Sequence, residues 1–104
     1  MGYTGGGVPS IVSTEEVAPT TIYSGQVVVA IVAAPLSAVS VPIKSVTIEN
    51  ISTNNVVYVG NATVTAANGY ALRPGATISL DIDDLNKGYV IGTAGNIVTY
   101  LAVA

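Results

Sequence analysis

The residues best equipped for chemistry stand together in Asp81-Ile82-Asp83-Asp84-Leu85-Asn86, three carboxylates and an amide within six positions. Two chemistries use such a set. A carboxylate pair can hydrolyse a glycoside, one group as acid and the other as base or nucleophile. Asp81 and Asp83, two apart on a strand, would share a face at about 7 Å. A cluster of hard oxygens can instead hold calcium. Counted from Asp81, the fifth position is Leu85 and the twelfth Gly92, so the EF-hand ligand pattern fails. The plainer reading is that Asp81 and Asp83 wet the outer face of a strand, while Asp84 and Asn86 make side-chain turns. That reading is the expectation here, with no metal and no cofactor.

Other routes to catalysis are closed more firmly. The chain has no His and no Cys, so the usual general base and the thiolate nucleophile are missing. The only bases open to its serines are carboxylates, Lys44 and Lys87, none in a recognisable motif. Gly92-Thr93-Ala94-Gly95 lacks the Lys-Ser/Thr of a phosphate loop and lies between two expected strands with no helix after it. Asn50-Ile51-Ser52 and Asn61-Ala62-Thr63 match the glycosylation sequon. In a chain so rich in Asn, Thr and Ser, coincidence is the better account. The expected class is therefore not an enzyme. Tyr58, Tyr70, Tyr89 and Tyr100 fall on four different expected strands. They read as packing at the edge of a core or, alternatively, as a tyrosine-lined contact or glycan surface.

The elements that must carry these residues are short antiparallel strands. Thr77 to Asp83 alternates without a fault, Ile78, Leu80 and Ile82 against Thr77, Ser79, Asp81 and Asp83, the period of a strand with one buried face. Arg73-Pro74-Gly75 before it is a turn, with Gly75 free to take the positive φ of type II. Asp84 to Gly88 turns the chain into Tyr89–Ile91, and Gly92 to Asn96 turns it into Ile97–Val103. Upstream, Gln26 to Ala34 is an unbroken apolar run that predicts a strand buried on both faces, or on one face and covered by a partner on the other. Pro35 ends it. Ile43 to Ile51 follows with Val46 and Ile48 inward, then Val56–Val59, a brief Ala62–Thr65, an Asn68-Gly69 turn and Tyr70–Leu72. No helical periodicity reaches three turns. Seven or eight short strands at this spacing predict an all-β sandwich or small barrel.

Composition bounds the rest. At 104 residues the chain is one domain able to bury about two-thirds of its unfolded surface. Half of it is hydrophobic and 9% charged, six acids against three bases, where an ordinary soluble domain carries about a quarter charged residues. A surface so poor in charge is either clothed in Thr, Ser, Asn and Gly or covered by other subunits. Three scattered bases and a net charge of −3 argue against nucleic acid as a partner. Val27 to Val32 is far shorter than the ~20 residues of a membrane helix, and Met1 to Ser10 shows no signal-peptide pattern. The expectation is a chain without a membrane segment. Residues 1–25, with their glycines, Pro9 and Pro19, read as an extended or flexible N-terminal arm, with Glu15 and Glu16 at an abortive helical start. Residues 26–104 read as a single β-sandwich domain. The sharper possibility is that the arm adds a strand to a neighbouring subunit at Ser10 to Val12 or Thr20 to Tyr23. The candidate interface is accordingly Val8, Ile11, Val12, Ile22, Tyr23, Val27, Val29 and Ile31.

With these residues set out, Asn55 to Val103 resembles the small virion structural proteins of tailed bacteriophages, the capsid decoration or minor capsid class. The features that carry the resemblance are Val57-Tyr58-Val59-Gly60, the Asn68-Gly69 turn and Leu72-Arg73-Pro74-Gly75. The acidic alternating strand, Tyr89 to Gly95 and the closing strand complete it. It spans about half the chain and brings no catalytic residues with it. It implies an antiparallel β-sandwich or jelly-roll-like small barrel that forms a homo-oligomer, trimeric or larger. It also implies a seat on the capsid surface of a virion, against a major capsid protein or other virion proteins. The competing expectations are a carbohydrate- or receptor-binding β-module and a subunit of an extracellular filament.

Overall fold

The computed structural model of the chain describes residues 21–104. Val8, Ile11 and Val12, the expected strand at Ser10 to Val12 and the helical start at Glu15 and Glu16 lie outside the described residues.

Among the described residues eight strands run in chain order: β1 Ile22–Val28, β2 Ala34–Pro35, β3 Ser45–Asn50, β4 Val57–Gly60, β5 Tyr70–Leu72, β6 Thr77–Leu80, β7 Tyr89–Ile91 and β8 Ile97–Val103, with a 3-10 turn at Leu85–Lys87. They form two four-stranded sheets, ordered β1-β8-β3-β6 and β2-β7-β4-β5, with every pairing antiparallel. First pairs with last, second with seventh, third with sixth and fourth with fifth. This is one long antiparallel ribbon folded over itself, and it is the strand order of a jelly roll.

The core follows from the alternation. Val46 and Ile48 of β3, Val98 and Ala102 of β8, Val57 and Val59 of β4, Leu72 of β5 and Val90 of β7 are buried between the sheets. Each fully buried Val, Leu or Ile contributes about 1.5–3 kcal/mol through the water it sheds. A smaller apolar contact lies outside this core. Val64, in the loop from β4 to β5, is buried against Gly60 and Gly69, where a side-chain carbon on either glycine would stand 2.7 Å from its methyl.

The turns match their chemistry. Ala76 N–H donates to Arg73 O at 2.9 Å, and Gly75 has φ +81, as a type II turn requires. Tyr70–Leu72, Tyr89–Ile91 and Ile97–Val103 are strands over the expected residues. Three expectations are corrected. Gln26 to Ala34 is not one strand: β1 starts earlier, at Ile22, and the chain bends after Val28 before the two-residue β2. Residues 22–25, assigned to the arm by the sequence, thus pair with β8 of their own chain. Asp81 to Asp83 is not strand either, because β6 stops at Leu80. The two carboxylates therefore share no strand face, and Asp83 turns to Lys87, 2.7 Å away. Ala62 to Thr65 is a turn rather than a strand, held by Thr63 N–H and its hydroxyl, both donating to Asn61 Oδ1 at 3.0 and 2.8 Å.

Candidate assembly surface

The expected interface residues part company in the structure. Val29 belongs to the core at 1% exposure and so is no surface for a partner, while Val27 packs half-buried against that core and keeps part of its surface free. The cause is the alternation of β1, which carries on past Val28: Val29 N–H still donates to Asn96 O at 2.7 Å, so Val29 follows Val27 onto the inner face. Ile22, Tyr23 and Ile31 are exposed.

Around Ile31 the structure assembles an apolar surface that periodicity did not announce. Val28, Ile31, Val32 and Ile51 are 63%, 75%, 65% and 42% exposed. They come from two connections at the same end of the sandwich. Val28 pairs with Ile97 across β1 and β8, and Ile51 N–H donates to Ile97 O at 3.2 Å, which brings Val28, Ile97 and Ile51 alongside one another on the outer face. Ile31 leans toward a cleft it shares with Val56, Tyr58 and Ile91.

Backbone bonds hold this end rigid. Gly92 N–H donates to Ala30 O and Gly95 N–H to Val29 O, both at 3.0 Å, tying the β7–β8 turn to the β1–β2 connection. Gly95 takes φ +91 there. Asn50 fixes the β3–β4 loop from beneath. Its Nδ2 donates to Asn55 O at 2.8 Å and Leu72 O at 2.7 Å, and its Oδ1 accepts from Ser52 N–H at 2.9 Å and the Ser52 hydroxyl at 2.6 Å. With all its polar capacity used and 0% exposure, Asn50 is a structural amide, and its sequon is closed in the folded chain. The signal for it in the sequence was its place at the end of an alternating strand, in phase with Val46 and Ile48.

At the opposite end Asp84 does similar work. It accepts from the Ser40 hydroxyl, from Val41 N–H at 2.9 Å and from Asn86 N–H at 3.0 Å. These bonds, the Ser40 hydroxyl foremost, hold its carboxyl below the usual carboxylate range, because each favours the ionised form. The Asp83 carboxylate raises the Lys87 ammonium above its ordinary value. Each acid of the Asp81–Asn86 stretch that makes bonds is thus committed to a turn or an ion pair. No three acidic residues among the described residues converge as metal ligands.

The tyrosines do not form one platform. Tyr58 and Tyr89 lie on the outer face of the second sheet, since Val57, Val59 and Val90 beside them point inward. Tyr70 stands by a cleft of about 260 Å³ with Ile78, Leu80 and Ile82. Tyr100 faces the interior over Gly25. No protein-family model matches the chain, and no curated protein matches it.

Proposed function

We propose that this chain is a non-enzymatic structural subunit of a virion, a capsid decoration or cementing protein that self-associates on a protein lattice. The observation that carries the reading is the exposed apolar end formed by Val28, Ile31, Val32 and Ile51. Apolar side chains clustered on a rigid end gain by being covered, and a lattice of other subunits covers them. A chain with only 9% charged residues has few charges to desolvate on being covered. The jelly-roll strand order is compatible, since it recurs in virion and lectin domains alike, and the resemblance of Asn55 to Val103 to phage virion proteins favours the former. The glycan-platform alternative is left with Tyr58 and Tyr89 on one outer face, apart from Tyr70 and Tyr100.

Mass spectrometry of purified virions from cells making this chain tests the reading. The chain is expected as a stoichiometric particle component, released less readily than its Ile31→Lys, Val32→Lys variant. Its absence from particles, or equal retention of the variant, would overturn it.

A further inference from the structure

The four sheet edges of the sandwich are not equally protected. β2 contains Pro35, β5 is three residues long and runs into Arg73-Pro74, and β6 runs into Asp81 and Asp83. Short length, proline and charge are the devices that stop an edge from recruiting another strand. β1 has none of them. Ile22–Val28 is seven residues long without Pro or charge, and among the described residues nothing pairs with its second edge.

The direction of its free peptide groups is fixed by the ladder to β8. Thr21 and Ala104 exchange both hydrogen bonds, at 3.1 and 2.9 Å, and Val29 N–H donates to Asn96 O at 2.7 Å. In an antiparallel ladder bonded pairs recur at every second residue. Tyr23, Gly25 and Val27 therefore turn their peptide groups to β8, while Ile22, Ser24, Gln26 and Val28 turn theirs to the open edge.

We infer that the β1 edge pairs with the β1 edge of a second copy, antiparallel and two-fold symmetric about Gly25. In that register Ser24 stands opposite Gln26 of the other copy and Ile22 opposite Val28, so every outward peptide group meets an outward partner. Side chains match as well: apolar Ile22 meets apolar Val28, polar Ser24 meets polar Gln26, and Tyr23 meets Val27 on the inner face. Gly25 meets itself at a non-bonded position, where strands come closest. A two-fold on Ser24 would set Ile22 against Gln26, and one on Gln26 would set Ser24 against Val28. Axes between residues would oppose outward groups to inward ones. Only the Gly25 register matches class with class, and an isologous contact needs that self-complementarity. The β1-β8-β3-β6 sheets of the two copies become one continuous sheet across the axis. This contact deepens the self-association proposed above but rests on the edge alone, so it holds or fails whether or not the chain belongs to a virion.

The chain has no cysteine, which makes the register readable by disulfides in the full-length protein. Bonded antiparallel positions lie about 5.5 Å apart at Cα, inside the disulfide range of about 4.4–6.8 Å. A mixture of Ser24→Cys and Gln26→Cys proteins should oxidise to a crossed dimer at least about tenfold faster than either alone. Ser24→Pro removes an outward N–H and spares the β8 ladder. It should reduce the light-scattering mass about twofold with little change in melting temperature, whereas Val27→Pro should unfold the chain. A monomeric wild-type chain, an unchanged mass for Ser24→Pro, or equal cross-linking of Ser24→Cys alone would overturn the inference.

Discussion

Asn50 reaches from the end of β3 in one sheet to the Leu72 carbonyl of β5 in the other, Nδ2 to O at 2.7 Å. That bond closes the sandwich at the end that carries Ile51, and the same amide holds Asn55 O and Ser52. Asn50→Ala would strand several buried groups, each worth about 1–3 kcal/mol when left unpaired, and should cost about 2–5 kcal/mol in chemical denaturation. A cost below about 1 kcal/mol would mean that water replaces the amide without loss.

Acid should act through Asp84. Its folded pKa lies below the ordinary 3.8, so its contribution is fully present above that value and is lost as the pH falls through the folded one. Asp84→Asn should therefore be less stable than wild type at pH 7, with the gap closing in melts below pH 3.8. A gap of constant size down to the most acid conditions would assign its role to packing instead of charge. Lys87, raised by Asp83, behaves oppositely: its contribution is present below its ordinary value and fades only as the pH rises through the folded one.

The β3–β6 pairing grades burial across the inner face. Ile48 is fully buried, Leu80 only half, since β6 is an edge strand. Ile48→Ala should cost about 2–5 kcal/mol and Leu80→Ala roughly half as much. Ser79, which meets the Thr47 hydroxyl at 2.9 Å on the exposed face, should tolerate Ala within about 0.5 kcal/mol. Equal losses at Leu80 and Ser79 in urea titrations would show that the outer face is covered too.

Tyr100 crosses Gly25 so closely that a side-chain carbon there would stand 2.8 Å from its hydroxyl oxygen. Gly25→Ala should cost about 1–3 kcal/mol by forcing the ring aside. In a Tyr100→Ala background the same change should be neutral or stabilising by about 0.5 kcal/mol. A double-mutant cycle with no coupling would remove the contact from the account.

Much of the fold was legible because local chemistry and tertiary need agree in it. Gly75 sits where a positive φ is required, and the alternation of Ser45–Asn50 marks which side chains enter the core. The boundary of β1 was not legible. Val27 to Val32 is uniformly apolar, so it offers no period from which to place the bend after Val28, and Val29 in the core looks like Val28 outside it. Asp81 and Asp83 continue the alternation of β6, yet the ladder lapses after Leu80 and resumes in the same register only at Pro42 and Asp84, where Ile43 N–H donates to Asp83 O and Leu85 N–H to Val41 O at 3.0 Å each. The assembly surface was half visible: Ile31 and Ile22 were named, whereas Ile51 joins Val28 only through the Ile97 pairing.

The central claim is that this domain does not stand alone. Its most direct test is the mass of the full chain in solution, by light scattering over micromolar concentrations. The account predicts an even multiple of the chain mass, reduced by Ser24→Pro. A monodisperse monomer throughout that range would contradict it.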